Sequence, residues 1–346
     1  MKVLIIKLSS IGDCIHTLPA VASLREGFEK KGIKARIDWL VEEAASSVLA
    51  RSRLIDNVIV VKRGWLKNFS ENRRVARALA ATRYDLVLDF QGLLKSGVWV
   101  YLSKGARRAG FSNGREMSHL FLNDRLPAYD PERHAVDRYL DLAVHAGGAS
   151  GPARFQVDTG KAAKSAERKL REAGVGKEPF FVIVSRARWA TKLWGEERFA
   201  RLARHLCKET GFKAVLAGGA EDRASLEAMK EEIGFGAVNL AGRTDLSELA
   251  EVFRRARFAV TVDSGPMHLA AAVGTRCVAI FGPTAPWRTG PYGSRHIVVR
   301  KGLECSPCFS RKCAEPKCMT SITVDDVLEA MKPLLAEGGD RSNDSY

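Results

Sequence analysis

The residues of this chain best suited to chemistry stand just after apolar runs. Asp13 lies in SSIGDCIH, Ser9–His16, directly behind the run that begins at Lys2. A carboxylate there could serve as a general base and take a proton from a hydroxyl. The plainer reading is an ordinary cap on the helix that follows. In SRARWATKLW, Ser185–Trp194, the cations Arg186, Arg188 and Lys192 suit a diphosphate, the arginines as planar forks and the lysine as a point charge. A solvated basic loop would carry the same residues. In VDSGPMH, the residues Asp263, Ser264, Gly265 and His268 surround an expected helix start, with Pro266 as its first residue. Free N–H groups and the positive end of the dipole favour phosphate at such a point, and Gly265 lets a ligand approach the backbone. Asp263 or Ser264 taken alone could be a cap; the whole cluster at a strand's carboxyl end favours a nucleotide or nucleotide-sugar site. Glu221 follows Gly218-Gly219 and could meet a ribose, although an acidic residue at a helix N-terminus needs no ligand.

A different chemistry is offered by Cys305, Cys308, Cys313 and Cys318, four of the seven cysteines. In a cytoplasmic chain such a cluster reads as a zinc site of structural type rather than as disulfides. The spacing matches no common zinc finger, so a thiol cluster without metal stays open.

Positioning these groups requires strands and helices in alternation. Strands are expected at Lys2–Leu8, Ile37–Val41, Val58–Val61 and Leu86–Phe90, with helices over Ile15 to about Lys30, Asn72–Ala81 and from Gly92 to about Leu102. Gly114–Asn123 and the run from Pro131 to about Ala146 also read as helical. The Gly- and Ser-rich stretch from His145 to Pro152 reads as a linker. Beyond it the alternation restarts, with strands at Phe180–Val184, Ala214–Ala217, Val238–Leu240, Phe258–Val262 and Cys277–Phe281. A last helix is expected over Thr323–Leu335. The expectation is two successive doubly wound α/β domains, 1–150 and 151–337, with a polar, disordered tail over 338–346.

Composition narrows the class. The chain has 346 residues, of which 46% are hydrophobic and 27% charged, as in a soluble globular protein. Lys7 interrupts the first apolar run, no cleavage site follows it, and no apolar run reaches the roughly 20 residues of a membrane span. The expected location is cytoplasmic. The net charge of +15 suits an anionic partner, whether a phosphorylated substrate, a membrane face or nucleic acid, and a merely solvated surface would carry it too. No nucleic-acid reading module is visible, and neither the dinucleotide fingerprint nor the P-loop motif is present.

Taken together, KLSSIGDCIHTLPA, RWATKLW, NLAGRTDL and VDSGPMHLAAAVGT with FGPT resemble the lipopolysaccharide heptosyltransferases, glycosyltransferase family 9, over nearly the whole chain. IDWLVEE, LDFQGLLKS and GREMSHLFLN are more similar to the heptosyltransferase I branch than to heptosyltransferase II. The resemblance implies a GT-B fold, two Rossmann-like domains facing across a cleft, the first binding acceptor and the second ADP-sugar. It implies inverting, metal-independent transfer of L-glycero-D-manno-heptose from ADP-heptose to the Kdo of Kdo2-lipid A, at the inner-membrane surface. It further implies Asp13 as base and Lys192, Arg188, Glu221, Asp263, Ser264, Gly265 and His268 as donor-binding residues. Arg63 and Arg115 would meet anionic groups of the acceptor. Where members of this branch often carry hydroxyl residues, this chain has Ala187 and Arg188, and the cysteine cluster occurs in only some relatives. The alternatives are a heptose acceptor as for heptosyltransferase II, a protein acceptor, a nucleotide-sugar binder without catalysis, and a basic cysteine-cluster nucleic-acid binder.

Overall fold

The structure is a computed structural model that describes residues 1–62, 64 and 68–336. Arg63, expected to meet the acceptor, and the expected tail lie outside the described residues. The chain divides into two compact units, Met1–Asp158 and Thr159 onward.

In the first unit the strands are β1 (Lys2–Ile6), β2 (Arg36–Glu42), β3 (Asn57–Val61), β4 (Leu86–Asp89), β5 (Arg107–Phe111) and β6 (Asp124–Leu126). They form one sheet in the order β3-β2-β1-β4-β5-β6, every pair parallel. In the second unit they are β7 (Phe180–Val184), β8 (Lys213–Leu216), β9 (Ala237–Asn239), β10 (Ala259–Val262), β11 (Cys277–Ile280) and β12 (Ile297–Val299). Their order is β12-β11-β10-β7-β8-β9, again parallel throughout. Counted from its own first strand, each sheet has the order 3-2-1-4-5-6 of a doubly wound Rossmann fold.

Helices on both faces bury these strands, which is why β1, β4, β7, β10 and β11 read as continuous apolar runs rather than as alternating ones. The second unit's core joins Phe181, Ile183, Val260 and Val278 of the sheet to Phe199, Leu202 and Leu206 of the helix Glu196–Thr210. In a sheet of this order the strand sequence reverses between β1 and β4, and again between β7 and β10. Loops leaving those carboxyl ends splay apart and open a crevice. Asp13 follows β1, Lys192 follows β7 and Asp263 follows β10, so the fold brings the expected groups to these two points.

Several expected elements differ. The first helix starts at Ile11, ahead of the expected Ile15, and runs to Lys30. Gly114–Asn123 is not an α-helix; only Ser118–Phe121 forms a 3-10 turn, and β6 follows it. The helix expected from Pro131 begins at Ala135 and ends at His145. Gly265, not Pro266, opens the helix Gly265–Ala272.

Candidate active site

Asp13 is the third residue of its helix, and Ser10, not Asp13, occupies the cap position. Its Oδ2 accepts from the Ser10 N–H at 3.0 Å and from the Ser10 hydroxyl at 2.8 Å. It is therefore a reach-back carboxylate of the kind that closes a capping box. Capping does not bury it: the side chain keeps 36% of its exposure, while Lys7 behind it keeps 2%. Lys7 Nζ lies 3.7 Å from Asp13 Oδ1 and donates to the Phe90 carbonyl at 2.9 Å and to Tyr139 Oη at 2.6 Å. Around this group the ends of β1 and β4 are tied together. Gln91 Oε1 accepts from both Leu8 N and Ser9 N at 3.1 Å, and Lys95 joins Ser9 Oγ to Glu42, each at 2.8 Å. A small cavity of about 60 Å³ opens beside Tyr139, Gln91 and Gly92. Arg115 is exposed on the loop after β5, its N–H bound to the Gly92 carbonyl at 2.9 Å.

In the second unit Lys192 and Asp263 meet directly, Nζ to Oδ2 at 2.6 Å, with side-chain exposures of 15% and 7%. Thr284, after β11, donates to the same Oδ2 at 2.6 Å. The Lys192 ammonium also lies over the Trp189 ring, 4.4 Å from its centre, and Arg311 lies against that ring at 4.8 Å. Thr191 Oγ1 donates to the Ser310 carbonyl at 2.9 Å, fastening the loop that carries Lys192. Ser264 is the cap of the helix Gly265–Ala272, and His268 sits buried on its first turn. The buried hydroxyls with no hydrogen-bond partner among the described residues include Ser264 Oγ after β10 and Ser185 Oγ after β7. A buried hydroxyl without a partner is costly. Both stand at the carboxyl ends of neighbouring strands, where a ligand would satisfy them.

Glu221 and Arg188 are exposed on the loops after β8 and β7. Arg186, expected among the diphosphate cations, is instead held by Glu196, Asp222 and Ser225 and anchors its loop. The four cysteines are free thiols; Cys305, Cys308 and Cys313 are exposed, and burial raises the Cys318 thiol above its ordinary value. Among the described residues no three His, Cys, Asp or Glu side chains come together as a metal-ligand set. The two larger hollows of this unit, of 630 and 510 Å³, lie near Phe212, Phe258 and Phe180, at the amino ends of the strands and away from these groups.

Sequence reasoning missed Lys7, Tyr139, Ser185 and Thr284. Lys7 carried a signal, a lysine closing an otherwise apolar run. Tyr139 carried none, because it reaches the site from a helix distant in sequence.

Each doubly wound unit thus gathers a lysine and an aspartate at its switch point, where open α/β sheets bind ligands, and the comparisons with known proteins give the class. The model of glycosyltransferase family 9 (heptosyltransferase) matches residues 72–319. Lipopolysaccharide heptosyltransferase 1 of Pseudomonas aeruginosa is 34% identical over 328 residues, covering 90% of this chain and 87% of that one. The Escherichia coli K12 protein of the same name is 33% identical over 317 residues, covering 88% and 95%. Proteins named heptosyltransferase 2 are 27–28% identical. The solved structure of E. coli heptosyltransferase WaaC with ADP superposes with a TM-score of 0.77 at 27% identity, covering 98% of this chain and all of that one. The chain belongs to glycosyltransferase family 9 and is a glycosyltransferase. That membership favours the enzyme over the nucleic-acid-binding alternative.

Proposed function

We propose that this enzyme transfers L-glycero-D-manno-heptose from ADP-heptose to the Kdo of Kdo2-lipid A, with inversion at the anomeric carbon and without a metal ion. Support for the substrate pair comes from the higher identity to proteins named heptosyltransferase 1 than to those named heptosyltransferase 2. The observation that carries the mechanism is Asp13, a part-exposed carboxylate fixed by Ser10 at the end of β1.

In this reading Asp13 takes the proton of the attacking Kdo hydroxyl. Meanwhile the bond from the heptose anomeric carbon to ADP lengthens and the sugar gains oxocarbenium character. The new bond forms on the face opposite the departing diphosphate. Lys192, Arg188 and the N–H groups of Gly265–His268 bind that diphosphate and stabilise the charge it gains. Ser264 and His268 bind the phosphates and the sugar nearby, Asp263 the heptose hydroxyls and Glu221 the ribose. Arg115 meets acidic groups of the acceptor, with Arg63 in the same role. No helix among the described residues is long and apolar enough to cross a membrane. Attachment to the lipid surface that holds the acceptor would therefore be peripheral, on the cytoplasmic face of the inner membrane.

The test is ADP release from ADP-heptose with Kdo2-lipid A, comparing the natural enzyme with Asp13→Ala. Activity with this acceptor, reduced at least about 100-fold in a variant that still binds ADP, is expected. Donor binding without turnover on this acceptor would overturn the acceptor assignment. Failure to bind ADP-heptose would overturn the whole reading.

A further inference from the structure

Lys7 is a fully buried cation of the first unit, and the proposed reaction gives it no contact with substrate. Its position is nevertheless costly, since an ammonium taken out of water must be repaid by partners. Those partners form a directed chain. Lys7 Nζ donates to Tyr139 Oη at 2.6 Å, and the phenol hydrogen then points at Asp13 Oδ1, 3.5 Å away. A second N–H of Lys7 is fixed on the Phe90 carbonyl. The Tyr139 ring itself lies under the ammonium, 4.6 Å from its centre, and its edge packs on Phe90. Asp13 is thus gripped from two sides, Oδ2 by Ser10 and Oδ1 by the Tyr139–Lys7 pair.

We propose that Lys7 and Tyr139 are positioning residues for Asp13, a buried ammonium–phenol pair that holds the carboxylate in its ionised form and fixes its rotamer for proton abstraction. The inference rests on the reading of Asp13 as the base. Burial opposes the charge on Lys7, but Tyr139 and Asp13 outweigh it, and the group stays protonated well above its ordinary range. Burial likewise raises the Tyr139 phenol, so it remains a donor. Neither partner can therefore accept the proton that Asp13 takes. It stays on the carboxyl and leaves through the exposed edge to water. The other charged or titratable groups around the pair are Cys14 on the same helix, Asp89 beyond Lys7, Arg138 beside Tyr139, and Glu42 with Lys95. Burial raises the Cys14 thiol and the Asp89 carboxyl, Glu42 and Lys95 neutralise each other, and the Lys7 ammonium lies 3.7 Å from Asp13 Oδ1.

The experiment is the pH profile of kcat/KM for ADP release, with Lys7→Met and Tyr139→Phe alongside the natural enzyme and Asp13→Asn. A unit charge 3.7 Å from the carboxylate, at effective dielectrics between water and a protein surface, corresponds to a shift of about 1–3 pH units. The acid limb is expected to move up by that amount in Lys7→Met and by a smaller amount in Tyr139→Phe, with ADP affinity unchanged in both. A purely structural role would lower activity at every pH without moving the limb. If Lys7→Met does not fold, Tyr139→Phe, which removes one oxygen, still decides the matter. An unmoved limb in Tyr139→Phe with an inactive Asp13→Asn would overturn this inference alone. An active Asp13→Asn would overturn the base assignment beneath it.

Discussion

Replacing Lys192 by Met should destabilise the second unit, and the structure sets the size of the effect. The ammonium and the Asp263 carboxylate are 2.6 Å apart and nearly enclosed, at 15% and 7% exposure. At an effective dielectric near 20 their attraction is about 6 kcal/mol, an upper bound on what the pair contributes. The measurable loss should be about 3–5 kcal/mol, because the variant leaves a buried carboxylate with the Thr284 hydroxyl still donating to it but no cation beside it. Asp263→Asn on its own strands the ammonium and should cost a similar amount. The double variant Lys192→Met/Asp263→Asn removes both charges and should recover most of the loss. Denaturant unfolding of the four proteins gives the coupling directly. A single-variant loss below about 1 kcal/mol, or losses that simply add in the double variant, would refute the claim that these two groups are energetically paired.

The same pair makes an unusual forecast about the donor. In the free enzyme Lys192 is already engaged, so a diphosphate must share the ammonium with Asp263. Neutralising Asp263 removes that competition and a nearby negative charge. Asp263→Asn should therefore bind ADP more tightly, by about 10-fold for each 1.4 kcal/mol relieved, while turning over more slowly for want of the proposed contact to the sugar. Calorimetry with ADP checks the first half and initial rates the second. Weaker ADP binding by Asp263→Asn would show that the carboxylate organises Lys192 rather than competing for it.

Two further outcomes concern stability away from the chemistry. Burial lowers His296 to about 4, and it stays neutral with Cys277 N–H donating to its Nδ1 at 3.1 Å. A folded value below the unfolded value of about 6.5 means that its contribution is complete above pH 6.5 and lost as pH falls toward 4. The loss should approach about 3 kcal/mol, and His296→Gln should flatten that part of the stability–pH curve; an unchanged slope would remove His296 as its origin. Gly27 lies inside the first helix, where alanine normally stabilises by about 1 kcal/mol. Here an added Cβ would come 2.6 Å from Ala149 N and collide with the Gly147 and Gly148 backbone. Gly27→Ala should instead lower the thermal midpoint, by several degrees for a loss of about 1–3 kcal/mol, and an unchanged midpoint would show that this backbone yields.

The central strands and their order of alternation were legible because a parallel strand covered on both faces has no reason to carry polar residues. The same logic hid the edges. Strand β6 is only DRL, with Leu126 its one buried residue, so no pattern marks it. Gly114–Asn123 has a helical composition, but Gly114 is packed against Ser118 and only one 3-10 turn forms. Asp13 was found from its place after β1, yet its position as third residue rather than cap depends on Ser10, which either reading would have allowed. Lys192 and Asp263 were each expected to face a ligand. Their meeting was not legible, because it depends on β7 and β10 being neighbours in the sheet.

What the two switch points share explains how one sheet order can serve two chemical ends. Each gathers a lysine and an aspartate from segments that leave the central strands, but the pairs are mounted in opposite senses. In the first unit the ammonium is the enclosed member and the carboxylate faces water, 2% against 36%. In the second the carboxylate is the more enclosed and the ammonium the more open, 7% against 15%. In the proposed reaction the more open member of each pair takes the charged step, the proton at Asp13 and the diphosphate at Lys192, and its partner behind steadies its charge and direction. A base for a hydroxyl needs an open carboxylate, and a site for diphosphate needs an open cation. Exchanging the members of a pair should therefore not preserve function even where it preserves net charge. Lys7→Asp/Asp13→Lys would place a cation where the proton must be taken and a carboxylate where no water reaches. That variant should fail in turnover while the second unit still binds ADP. Retained turnover would mean that charge balance, not the direction of the pair, is what the site requires.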